Sequence, residues 1–150
     1  MAVSRAAQPG SKFSEAKEET SMSGPFIFIG TYKIKSDKRA EFKKGVQELV
    51  EFVETNEPRL IAFNIYLDEQ GSKVSVVQVH PDAASMEFHM KVVSEHISNA
   101  FEYLEATESA QVYGTPSAAL AEMLRKYADP GAAQTFMPVH EVGFTRSNAR

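Results

Sequence analysis

The apolar residues between Phe26 and Val112 follow an order that few folds accommodate: strand, helix, strand, strand, helix, strand. The second and third strands are joined by the turn Asp68-Glu69-Gln70-Gly71-Ser72. This is the order of the ferredoxin-like split βαβ unit, an α+β fold with an antiparallel sheet. The helices of such a unit cover only one face of its four strands. Here the other face carries apolar side chains as well, and they must be buried against something else. A homodimer closed through that face is therefore expected.

The first strand is read over Phe26 to Ile34. Phe26, Phe28, Tyr32 and Ile34 share one face with Gly30, and Ile27, Ile29 and Thr31 share the other. Gly30 marks either a bulge or twist, or the close approach of another group. Ser36 or Asp37 is expected to cap the first helix. Its stripe is Phe42, Val46, Leu49, Val50 and Val53, and Glu57-Pro58 ends it. The second strand is expected from Arg59 to Leu67, with Ile61, Phe63, Ile65 and Leu67 opposite Leu60, Ala62, Asn64 and Tyr66. The third runs from Lys73 to His80.

Pro81-Asp82 then opens the second helix. Met86, Met90, Val93, Ile97, Phe101 and Leu104 recur at helical spacing, which predicts one continuous helix. A fourth strand is expected near Ser109 to Tyr113. Beyond the basic unit, Thr115-Pro116 reads as a helix start, with Thr115 as N-cap, and Asp129-Pro130-Gly131 as the stop. Val139 to Thr145 is expected to form a fifth strand that seals a sheet edge, on this chain or on a partner.

Composition narrows the function. The net charge of −4 offers no basic face for phosphate, so nucleic acid is not an expected partner. No apolar run approaches the ~20 residues of a membrane span, so no membrane partner is expected. The chain has no cysteine, which excludes disulfides, thiolate catalysis and cysteine-ligated metals. That fits a reducing compartment, and a cytoplasmic location is expected. Residues 1–24 hold almost no large apolar side chains, and they lack the apolar core of a secretory signal. They are read as a disordered tail, or as sequence ahead of a natural start at Met22. The domain is expected over 25–146.

Three stretches carry a resemblance. One is Glu57-Pro58-Arg59-Leu60-Ile61-Ala62-Phe63-Asn64, leading into the second strand. Another is Val77-Gln78-Val79-His80-Pro81-Asp82, followed by a helix with His89 about two turns in. The third is the ending Val142-Gly143-Phe144-Thr145-Arg146. Over about residues 25–146 the chain resembles the antibiotic biosynthesis monooxygenase-like family of dimeric α+β barrels. The resemblance implies that fold, a homodimer, and oxidation of a small aromatic or quinol-like molecule by dioxygen without metal or flavin. The chain departs from the family in having no tryptophan. His80 stands where the family's strand-end Trp would be, and Gly30-Thr31-Tyr32 offers no Asn. Of the Asn, Trp and His set that haem-degrading relatives use, only His89 is matched, so haem degradation is not the leading expectation.

His89 is the candidate catalytic residue. It borders the apolar stripe of the second helix, and an unperturbed imidazole titrates near neutrality, as a general base should. The competing reading is a structural histidine with one hydrogen bond. His80, Asn64, Tyr66 and Tyr32 are the candidate substrate contacts. A buried amide or hydroxyl needs a partner, which is either a ligand or a neighbouring backbone group. His96 lies seven residues after His89, so their backbones are about 10.5 Å apart along a helix. That is too far for one ion, and no metal site is expected. His140 is expected at the surface. Three functions are open: the cofactor-independent monooxygenase, a non-enzymatic small-molecule-binding or stress-responsive barrel, and an isomerase in which His89 shuttles a proton.

Overall fold

A computed structural model describes residues 24–100 and 102–146. The expectations for the tail before residue 24 and for Phe101 lie outside the described residues, as does the side chain of Ile97. The strands are β1 (Phe26–Ile34), β2 (Ala62–Leu67), β3 (Lys73–His80), β4 (Leu104–Tyr113) and β5 (Ala133–Met137). The helices are α1 (Arg39–Asn56), α2 (Ala83–Val92), α3 (Ser94–Ala100) and α4 (Ala118–Lys126). The sheet order is β2-β3-β1-β4-β5. β1 pairs antiparallel with β3 and β4, and β3 pairs antiparallel with β2. This is the ferredoxin-like α+β arrangement. β5 adds to it, parallel to β4, with α4 as the crossover that a parallel pair requires.

Strand alternation decides which side chains meet the helices. Phe26, Ile34 and Val74 point to the helical side and are buried there, against Met86, Met90 and Leu120 at one end and Phe42 at the other. Among the described residues, two separate apolar clusters stand out. One joins Phe26 to Met86, Met90 and Leu120, and the second joins Ile34 to Phe42 and Val74. The space between them is the cavity described below.

Several local expectations give way. A tight turn at Ser36–Lys38, closed by Lys38 N–H donating to Lys35 O at 2.9 Å, takes the place of a cap by Ser36 or Asp37. Lys38 then stands at the N-cap of α1 with no side-chain bond. β2 begins at Ala62 rather than Arg59. Leu60 N–H turns back to Glu57 O at 3.2 Å, so the residues after Pro58 are spent in a turn.

The expected long second helix is two helices broken at Val93, where ψ rises to 12°. Leu104 belongs to β4, paired with Ile34, and lies outside any helix. A strand's inward residue satisfied the helical spacing by coincidence. β4 is consequently longer than Ser109 to Tyr113, and it keeps pairing with β1 through two register shifts.

The cap of α4 is Ser117, whose hydroxyl accepts from Leu120 N–H at 3.0 Å. The Thr115 hydroxyl instead donates to Pro138 O at 2.9 Å. The fifth strand is Ala133–Met137 and not Val139 to Thr145. The latter run has no regular structure, and Val139, Val142 and Phe144 are exposed.

Candidate functional site

A cavity of about 360 Å³ lies between the sheet and the helices. Its walls are mainly apolar, with Phe28, Val76 and Val112 from the strands and Met86, Met90 and Val93 from α2 and its end. The volume falls in the range of small-molecule sites. No lysine or arginine side chain lines it among the described residues.

His89 reaches the cavity from α2, whose N-cap is the Asp82 carboxylate accepting from Ser85 N–H at 2.9 Å. Its Nδ1 donates to the Glu57 carboxylate, 2.8 Å from Oε2 and 3.0 Å from Oε1. Both side chains are almost wholly buried. The carboxylate holds the ring hydrogen on Nδ1 and leaves a lone pair on Nε2. Nε2 has no hydrogen-bond partner among the described residues, and the Phe63 ring lies 5.5 Å from the imidazole. A histidine so held is built to accept a proton.

Glu57 was legible in the sequence only as the end of α1. A carboxylate at a helix C-terminus opposes the helix dipole, and that local disagreement was the available signal.

His80 is fully buried at the end of β3, 5.7 Å from the His89 ring. Both its nitrogens are engaged, Nδ1 with Ser85 Oγ at 2.8 Å and Nε2 with Gln78 Oε1 at 3.0 Å. Burial, helped by the nearby His89, pushes its pKa down to about 3, so it stays neutral. His80 is therefore beside the site without lining it.

Tyr32 does line the cavity. Burial raises its hydroxyl to about 12, which keeps it a neutral donor. Its ring lies over Gly30. A Cβ at Gly30 would fall 2.8 Å from Tyr32 Cζ and nearer still to the hydroxyl. Close approach therefore explains Gly30, and a register shift adjoins it at Thr31/Tyr32.

Asn64 and Tyr66 are not brought to the cavity. Alternation along β2 points Phe63 inward and turns these two to the helix-free face, where Tyr66 is 60% exposed. His96 lines the cavity from α3 and packs on Phe52 with ring centroids 4.6 Å apart. His140 is exposed and packs near Gly24. Among the described residues, no three His, Asp or Glu side chains gather as a metal site would require. No helix among them is long and apolar enough to cross a membrane.

No protein-family model and no curated protein sequence matches the chain. Solved structures do. MupZ from Pseudomonas fluorescens superposes with a TM-score of 0.64 at 18% identity, over 83% of this chain and 91% of that one. A conserved protein from Methanosarcina mazei Go1 gives 0.55 at 20% identity, over 63% and 94%. A putative antibiotic biosynthesis monooxygenase from Caulobacter crescentus CB15 gives 0.52 at 16% identity, over 65% and 92%. The chain thus has the fold of the antibiotic biosynthesis monooxygenase-like proteins.

Proposed function

We propose that this protein is a cofactor-independent monooxygenase acting on a small aromatic or quinol-like molecule, with His89 as its general base. The observation that carries the reading is the buried Glu57–His89 pair on an apolar cavity. Oxidation by dioxygen alone begins by making the substrate electron-rich, and removing a phenolic proton does this. His89 Nε2 takes the proton, and Glu57 stabilises the imidazolium that results. Apolar walls keep water from the anion so formed. With no lysine or arginine on the walls among the described residues, the imidazolium is a cation placed to pair with it, which favours a substrate that arrives neutral. Tyr32 contributes a neutral hydroxyl as a substrate contact.

The test is oxygen uptake with a panel of dihydroxynaphthalenes and anthrones. Wild type should consume oxygen and His89→Ala should lose about 10²-fold or more of the rate. Equal rates would remove His89 from the chemistry, and ligand binding without product would leave a binding protein.

The same pair favours a second reading, an isomerase, because proton transfer needs no oxygen. Solvent deuterium entering a ketone substrate under anaerobic conditions would select it.

A homodimer forms part of the proposal. On the helix-free face, Val79 and Val77 stand beside Ile27 and Ile29, all half-buried in the single chain. Asn64, Tyr66, Thr31, Ser75, Ser109 and Gln111 surround them. An apolar centre with a polar margin is the composition of a protein interface. A second copy of the sheet would supply its cover.

A further inference from the structure

Gln78 is nine-tenths buried or more, with 5% exposure, and lines the cavity on β3. It pairs across the sheet with Phe63, the residue packed on His89, and with Phe28. Its Oε1 meets His80 Nε2 at 3.0 Å, while its Nε2 has no partner among the described residues. A buried carboxamide nitrogen without an acceptor is costly and rare.

The chain of bonds behind it fixes which end of the amide faces the cavity. Ser85 Oγ donates to His80 Nδ1, and His80 Nε2 then carries the hydrogen and donates to Gln78 Oε1. The opposite assignment would have His80 Nδ1 donate to Ser85 Oγ and would leave the buried Ser85 hydroxyl hydrogen without an acceptor among the described residues. Ser85 is itself anchored, its N–H donating to Asp82. A neutral His80 is required throughout, and its low pKa supplies that.

We propose that Gln78 is a substrate-binding residue whose carboxamide N–H donates to an oxygen of the ligand, with Ser85 and His80 as positioning residues that hold it turned toward the cavity. This rests on reading the cavity as the site of a small ligand. It narrows the substrate class to apolar molecules with an acceptor oxygen close to the proton that His89 removes, namely phenols and enolisable ketones. When that proton leaves, the electron pair of the broken bond stays on the oxygen of a phenol, or is delocalised from carbon onto the oxygen of a ketone. Gln78 then holds a stronger acceptor without giving up a proton of its own. Ammonium ions and other donor-only ligands are disfavoured.

The experiment uses 2-acetylnaphthalene and its isostere 2-isopropenylnaphthalene, in which CH₂ replaces the carbonyl oxygen. Wild type should bind the ketone about tenfold more tightly than the alkene. Infrared spectroscopy of the carbonyl-¹³C ketone should show its stretch lowered on binding. In Gln78→Met, which keeps the volume, both the preference and the shift should vanish while the alkene binds as before. In Ser85→Ala, which does not line the cavity, both should weaken.

A carbonyl band at its unbonded position in wild type would overturn the inference, and so would a preference retained by Gln78→Met. Failure of both probes to bind would overturn it together with the proposed function. The comparison involves no proton removal, so it can fail while the oxygen-uptake test of His89 succeeds, and the reverse.

Discussion

Glu57 ends α1 and His89 lies on α2, 32 residues later, yet the carboxylate accepts from His89 Nδ1 at 2.8 Å in a place almost closed to water. The bond ties the end of one helix to the middle of another. It also leaves the far ring nitrogen on the cavity side chain without a partner among the described residues.

Removing Glu57 should therefore cost both stability and proton transfer. Taking away the carboxylate leaves the buried His89 Nδ1–H without its acceptor, which costs roughly 1–3 kcal/mol. Glu57→Ala should lower the unfolding free energy read from urea titration by an amount of that order. Glu57→Gln, which still accepts from Nδ1 but carries no charge, should unfold less readily than Glu57→Ala. It should still turn over more slowly than wild type, by about 10²-fold in kcat with little change in KM.

His80 should make the protein acid-sensitive. Its folded pKa is depressed to about 3 from an ordinary value of 6.5. The unfolded chain therefore binds the extra proton first as pH falls. The stability that His80 contributes is full above about 6.5 and is lost between there and about 3, with a slope up to about 1.4 kcal/mol per pH unit. Urea midpoints of wild type and His80→Gln, compared at pH 7, 5.5 and 4.5, should converge as the pH drops. A gap independent of pH would count against a neutral buried His80.

Gly30→Ala should push the Tyr32 ring from its seat, because the new methyl meets the ring. Overpacking of this kind costs roughly 1–3 kcal/mol. A double mutant with Tyr32→Ala should recover part of the loss, and thermal midpoints of the four proteins measure the coupling. Independent losses would mean that the ring has room elsewhere.

Sedimentation at micromolar concentration should give twice the chain mass. Ile29→Asp, at the centre of the helix-free face, should give a single chain with the cavity intact. A well-folded wild type of single-chain mass would rule out assembly through the sheet.

The order of elements was legible because α1 repeats its period cleanly and β1 is a long run of strand-forming residues, while the less regular β3 is set off by the turn before it. What went unread has identifiable causes. Val93 ends a helix, yet it sits at a position that continues the apolar stripe, and periodicity does not register a break in ψ. Val139 to Thr145 has the composition of a strand, but the pairing with β4 was taken by the plainer Ala133–Met137.

Of the candidate site residues, His89 and Tyr32 lie on the cavity, whereas Asn64 and Tyr66 lie on the helix-free face. Alternation shows which residues share a face, but not which of two greasy faces the helices choose. Glu57 and Gln78 escaped notice for a different reason. Each matters through a bond to a histidine, Glu57 to one on another element and Gln78 to one whose own fixing depends on Ser85, and such partnerships leave no spacing to read.

The hydrophobic interior comes as two blocks, one around Met86 and the other around Phe42, with an opening where a single core would be continuous. Whatever molecule settles there acts as mortar between them. Occupancy should then stiffen the whole body, and amide protons in both blocks should exchange more slowly together once the gap is filled.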